Sequence, residues 1–256
     1  PSVRFEPFLT LRRRGIPIFL WNFDDPVYHD GVSPPIRDKT RALMACCDLI
    51  LVHSRQKFDW YRDQGLPCRY VPTGARPHSL YFSIPRGPYR YEWSFLGIAN
   101  QERHHLLQRL RQLLPSHYRS LGFDGSRGHF YLSHPRWSAE LVRGTQVNVS
   151  LSCFCDIPGE TSWGVNERAW EFPLMGGFLL QDRREHLAEH FPPEALATFS
   201  TLEECARRIV HYVEHPEERR RVLLAARDAI LRNHLLEHRV HLMRKLHQEL
   251  LLATPR

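Results

Sequence analysis

This chain lacks the cysteine spacing of a disulfide framework or a metal site. Six cysteines (Cys46, Cys47, Cys68, Cys153, Cys155, Cys205) in 256 residues give one Cys-Cys and one Cys-x-Cys, with no Cys-x-x-Cys. This excludes a disulfide scaffold and a zinc ribbon, and predicts reduced thiols in a cytoplasmic protein. No apolar run approaches the ~18 residues that cross a bilayer, and no signal peptide is visible, so the expectation is no transmembrane segment, with peripheral contact at a membrane surface left open. Also missing are G-x-G-x-x-G, a Walker lysine, H-E-x-x-H and G-x-S-x-G, which argues against a dinucleotide fingerprint, a P-loop, a zinc protease and a serine hydrolase elbow. Although the chain has 16 histidines, adjacent ones such as His104 and His105 lack ligand spacing; the expectation is no metal and no cofactor. There is no internal repeat and no low-complexity tract.

What is present is an ordinary globular composition, 42% hydrophobic and 25% charged. The formal charge of +7 and a pI near 9.3 attract anions: nucleic acid, an acidic membrane surface or a phosphorylated small molecule. The basic residues are scattered, however, and the runs at 11–14 and 218–221 fall on helical patterns, where they read as solvated faces. With no recognised nucleic-acid motif and no basic-aromatic stripe, a nucleic-acid partner is not expected.

Helical and strand patterns alternate along the first third. Residues 4–14 read as helix, 16–23 (IPIFLWNF) as strand, 36–46 as helix, 48–53 (DLILVH) as strand, 56–63 as a helix ended by Gly65, and 68–71 as a short strand. Nearly continuous apolar strands suit a sheet covered on both faces, and strands alternating with helices imply parallel pairing. Residues 72–91 carry four prolines and two glycines and read as a linker. A second series follows: strand 93–98, helix 101–114, helix 139–144, strand 147–151, helix 166–175, strand 178–180. The last quarter is helical, with a capping box from Thr201 to Glu204, a start at Pro216-Glu217-Glu218, and a final apolar stripe of Leu235, Leu242, Met243, Leu246 and Leu250. The expected fold class is therefore α/β, with two Rossmann-like parallel-sheet domains followed by C-terminal helices. The expected boundaries are 1–82 and 83–256.

In open α/β sheets, ligands bind beyond the carboxyl ends of strands, which selects three places. Asp24 and Asp25 follow the first strand: Asp25 could serve as an acceptor-side general base, or the acids could cap the turn before Pro26. Gly97 ends the strand at 93–98, and Arg103 lies in the first turn of the next helix, where a helix N-terminus favours an anion. The stretch VNERAWEFPLMGGFLLQD (165–182) puts Asn166, Glu167, Arg168 and Glu171 ahead of an apolar run. Glu171 is four residues from Glu167 and three from Arg168, which is compatible with a plain intrahelical ion pair. The loop before it, ETSWG (160–164), has the small and polar character of a segment that offers backbone amides to a ligand.

That same stretch resembles the donor site of GT-B glycosyltransferases of group 1 type, specifically the spore-maturation-protein-like family, in its Asn166-x-Arg168-x-x-Glu171 pattern followed by Gly176 and an apolar strand. GIPIFLWNFDDP, CCDLILVHSRQKFDWYRDQG, RYVPTGARPHSLY, FLGIANQER and the C-terminal helices with His234 and Arg239 follow the family's order over nearly the whole chain. The resemblance implies a metal-independent hexosyltransferase whose donor, a nucleoside-diphosphate sugar, is held by the second domain. It implies that Glu171 accepts from the donor ribose, that Thr161, Ser162, Trp163, Gly164, Asn166 and Arg168 line the diphosphate or sugar, with Arg168 also catalytic, and that Gly97 and Arg103 flank the phosphates.

Two features depart from the pattern. Many retaining relatives carry a second Glu eight residues before the ribose-binding one, where this chain has Trp163; Glu160 is the nearest acid. The first domain, about 80 residues and without an initial Met, is short or truncated by that standard. The reading is an enzyme that transfers a sugar to a saccharide, protein or small-molecule acceptor. The alternative is a noncatalytic nucleotide- or carbohydrate-binding protein on the same fold.

Overall fold

The computed structural model describes residues 6–22, 34–78, 88–97, 101–121, 135–152, 164–184 and 186–253. Contacts divide the chain into two compact units, residues 1–72 with 239–256, and residues 73–238.

The first unit contains α1 (Glu6–Arg13), β1 (Phe19–Asn22), α2 (Pro34–Ala45), β2 (Leu49–Val52), α3 (Arg55–Asp63) and β3 (Cys68–Tyr70). The strands form a parallel sheet in the order β1-β2-β3, with Phe19 opposite Leu49 and Ile50 opposite Cys68. Parallel pairing requires crossovers, and α2 and α3 supply them. All four residues of β2 are buried, because successive side chains pack to opposite faces and both faces are covered. Ile50 and Val52 join Met44, Tyr61 and Cys68, whereas Leu49 and Leu51 join Val71 and Leu246. Helix α3 stops where Gly65 turns left-handed at φ 72°.

The second of these clusters corrects the expected division, which placed residues 83–256 together. The last helix, α9 (Leu236–Ala253), turns its stripe of Leu242, Met243, Leu246 and Leu250 onto Leu49 and Leu51, so residues from 239 onward group with the first unit. Arg239 Nε also donates to Pro72 O at 3.0 Å. An amphipathic helix goes wherever an apolar face needs cover, and periodicity does not name the partner.

The second unit contains β4 (Tyr91–Phe95), α4 (Gln101–Leu113), β5 (Ser120–Leu121), α5 (Pro135–Arg143), β6 (Thr145–Ser150), α6 (Glu167–Met175), β7 (Leu179–Asp182), β8 (Thr198–Phe199), α7 (Leu202–Glu214) and α8 (Pro216–Asn233). Its sheet is wholly parallel, ordered β5-β4-β6-β7-β8. The winding reverses between β4 and β6, the place where doubly wound sheets bind ligands at their carboxyl edge. One face is apolar: Trp93, Phe95, Val147, Val149, Leu151 and Leu180 pack with side chains of α4 and α7. The other face meets α5, α6 and α8 and carries polar strand residues, Ser94, Asn148 and Ser150, all buried.

Helix starts follow their sequence signals. Thr201 Oγ1 accepts from Glu204 N–H, while Glu204 Oε2 accepts from Ser200 N–H, one residue earlier than the usual reciprocal bond. Arg184, Arg219, Arg227 and Arg239 are buried. Arg219 donates to Tyr212 O in the last turn of α7 and to Gln146 Oε1 at 3.2 Å, placing positive charge at a helix C-terminus. No helix among the described residues is long and apolar enough to cross a membrane.

Candidate functional site

The site is built on β4, β6 and α6. Asn148, in the middle of β6, accepts from Ser94 Oγ at 2.9 Å and donates Nδ2 to Val142 O and Phe178 O, both at 3.0 Å. Two residues further along the strand, on the same face, Ser150 Oγ accepts from Asn166 Nδ2 at 2.7 Å. Asn166 is the N-cap of α6, its Oδ1 accepting from Ala169 N–H at 3.2 Å. The Ser150–Asn166 bond thus ties the first turn of α6 to the sheet, while Asn148 ties β6 to the end of α5 and to the residue before β7. At its other end α6 closes through left-handed Gly176 (φ 92°), with Gly176 N–H on Pro173 O and Gly177 N–H on Phe172 O. Gly177 has no room for a side chain: an added Cβ would run into Val142 and lie 2.9 Å from Asn148 Nδ2.

With the helix fixed, Arg168 in its first turn reaches back to β4. Its Nε donates to Leu96 O at 2.8 Å, and its guanidinium lies 5.4 Å from the centre of the Phe95 ring. Arg103, in the first turn of α4, stands 5.6 Å from the same ring. Gly97 is pressed against this group, since an added Cβ would sit 2.5 Å from Arg168 Nη2 and 3.0 Å from Phe95 Cζ. Two guanidiniums and a side-chain-free backbone therefore meet at the carboxyl end of β4, where the winding reverses, an arrangement suited to a polyanion such as a diphosphate.

Glu171 follows one turn along α6. Its Oε1 accepts from Arg76 N–H at 3.0 Å, and among the described residues Oε2 accepts no hydrogen bond. Burial pushes its carboxyl above the ordinary glutamate value; the Arg76 N–H and charge pull it back, and Glu167 adds to the rise. The intrahelical ion-pair alternative gives way to these separate partners, Leu96 O for Arg168 and Arg76 N–H for Glu171. Trp170, between them, donates Nε1 to Thr73 Oγ1 at 2.7 Å and stacks on Phe191 at 5.0 Å.

The structure thus gathers Gly97, Arg103 and Arg168 around one ring, with Asn166 as the cap behind them and Glu171 on the next turn. Gly164, left-handed at φ 62°, precedes the cap. Asp25, Thr161, Ser162 and Trp163 lie outside the described residues, as does Glu160. Sequence reasoning missed Phe95, Ser150 and Arg76. The alternation TQVNVS in a buried strand is a usable signal for Ser150, because a polar residue inside a sheet needs a partner. Arg76 has no such signal, since it contributes a backbone N–H. Among the described residues no three His, Cys, Asp or Glu side chains gather as a metal site.

Comparison with known proteins bears on the family and the fold. The sequence profile of the family described as glycosyl transferase-like matches residues 101–245, more than half of the chain and most of the second unit from α4 onward. No curated protein matches. Among solved structures, a sucrose-phosphate synthase from Thermosynechococcus elongatus superposes with a TM-score of 0.66 at 13% identity, over 96% of this chain and 71% of that one. A trehalose-6-phosphate synthase, studied for glycosyl transfer with retention, gives 0.64 at 14% identity over 94% and 71%. Anabaena HepE, in complex with UDP and glucose, gives 0.63 at 11% identity over 94% and 74%. These likenesses are of fold, the GT-B type with its parallel sheets. Together with the profile match they lead to one statement: the chain belongs to the glycosyl transferase-like family.

Proposed function

We propose that this chain transfers a hexose-type sugar from a nucleoside-diphosphate donor held by its second unit. The observation that carries the reading is the convergence of Arg103 and Arg168 beside Gly97 at the end of β4, with a half-open carboxylate, Glu171, one turn away. In this reading the guanidiniums and the start of α4 face the diphosphate, offsetting the charge that develops on the leaving group without a metal. Glu171 Oε2 accepts from a ribose hydroxyl while Oε1 stays on Arg76. UDP and glucose in the Anabaena neighbour support a donor of this class. The Asn166-x-Arg168-x-x-Glu171 pattern supports the spore-maturation-protein-like branch, and Asp25 is the proposed acceptor-side base. Cys46, Cys47, Cys68 and Cys205, buried and in no disulfide, accord with a cytoplasmic setting.

Calorimetric titration with uridine, guanosine and adenosine diphosphates tests the assignment. The wild type should bind at least one, and Glu171→Ala should bind it about ten-fold more weakly, the loss of a charge-assisted hydrogen bond. Equal affinities would remove Glu171 from the site. Binding without donor hydrolysis or transfer would identify a noncatalytic binding protein instead.

A further inference from the structure

At the end of β7 and just beyond it lie two buried charges, Asp182 and Arg184, that the proposed chemistry does not use. Arg184 Nη2 meets Asp182 Oδ1 at 3.0 Å and Oδ2 at 3.5 Å, with side chains only 6% and 5% exposed. Arg184 Nη1 donates to Gly164 O at 3.2 Å. A buried ion pair is a poor device for stability, because an apolar pair of similar volume often does as well. What this pair does that an apolar pair cannot is grip one backbone carbonyl.

That carbonyl sits at a turn of consequence. Gly164 is buried and left-handed, two residues before the N-cap of α6. In a trans peptide the carbonyl and the following N–H point in opposite directions, so holding Gly164 O toward Arg184 aims Val165 N–H away from it. The same turn delivers Asn166 to Ser150 and Arg168 to Leu96. Left-handed glycine is otherwise free to change its φ, and the grip removes that freedom.

We infer that Asp182 and Arg184 are positioning residues for the donor diphosphate: they lock the Gly164 turn so that the start of α6, with Arg168, keeps one orientation toward the phosphates. Asp182 holds Arg184, Arg184 holds Gly164, and neither touches the donor. The inference rests on the donor reading above. It separates two halves of the ligand, the diphosphate depending on Arg184 and the ribose on Glu171.

The test measures, for the nucleoside diphosphate that binds best and for its parent nucleoside, the affinities of the wild type, Glu171→Ala, Arg184→Lys and the double variant Asp182→Asn/Arg184→Met. The double variant leaves no buried charge unpaired. It should lose about ten-fold in diphosphate affinity with nucleoside affinity unchanged, whereas Glu171→Ala weakens both ligands. Arg184→Lys keeps a cation for Asp182 without the planar fork, and should fall between wild type and double variant. A folded double variant with the wild-type ratio of the two affinities overturns the inference, as does one that weakens both ligands equally, which marks a merely structural role. If the double variant does not fold, a wild-type ratio in Arg184→Lys overturns it. Failure of the wild type to bind any nucleoside diphosphate overturns the donor reading itself; loss in Glu171→Ala with wild-type ratios in both Arg184 variants removes only the positioning role.

Discussion

The two faces of the second sheet are built from the same strands and do different work. Toward α4 and α7 the strands offer Trp93, Val147, Val149 and Leu180, side chains that hold the fold by leaving water. Toward α5 and α6 they offer Ser94, Asn148 and Ser150: Asn148 ties β6 to Val142 O and Phe178 O, and Ser150 holds the Asn166 cap, which fixes where α6 begins and therefore where Arg168 and Glu171 stand. Apolar contact is non-directional, while a hydrogen bond specifies distance and angle. The part of the site carried by α6, Arg168 and Glu171, is accordingly mounted on the polar face.

The comparison can be broken from either side. The largest effect belongs to the apolar face: Leu180→Ala, at a fully buried position, should cost about 2–5 kcal/mol in denaturant unfolding, with nucleoside-diphosphate affinity of the folded fraction unchanged. On the polar face Ser150→Ala leaves Asn166 Nδ2 short of its partner and should cost about 1–3 kcal/mol, but here affinity falls as well. If both variants change stability and affinity in the same proportion, the division of labour is wrong. Gly97→Ala should do the reverse of Leu180→Ala: the Arg168 guanidinium can swing aside, so unfolding barely changes while binding weakens about ten-fold.

The smallest effect is a pH dependence. The native carboxyl of Glu171 titrates above its unfolded value, so the ionised side chain opposes folding above that raised value. This cost fades as pH falls toward the ordinary glutamate value of ~4.3. Ribose hydroxyls donate to a carboxylate, so affinity should move in the opposite sense and decline as pH drops through the raised value. In Glu171→Gln both slopes should vanish, which matched titrations and unfolding curves across acidic pH would detect.

How much of this was legible in the sequence follows from what sequence signals measure. Runs such as DLILVH and the Thr201–Glu204 pair are local, and the strand, its parallel pairing and the cap follow from them. β5 and β8, each two residues long, are shorter than any periodicity can register. Helix α9 was legible as a helix but not as cover for β2, because a stripe of leucines fits any apolar face. In the site, Gly97, Arg103 and Arg168 stood out by residue type and position after strands. Their convergence on Phe95 joins residues more than 70 positions apart. The Arg76 N–H and the Arg184 grip are invisible at that level, because one uses only backbone and the other looks like another surface cation in a chain rich in arginine.

That richness has a consequence of its own. Arg184, Arg219, Arg227 and Arg239 turn their charge inward, onto Asp182 and Gly164 for Arg184 and onto carbonyls for Arg219 and Arg239. Such groups count toward the formal +7 but release no counterions when a polyanion approaches. Retention on a cation-exchange resin, which samples the outer surface, should therefore be weaker than the arginine content of the chain suggests. The charge left to attract a ligand is concentrated where an arginine still has solvent in front of it.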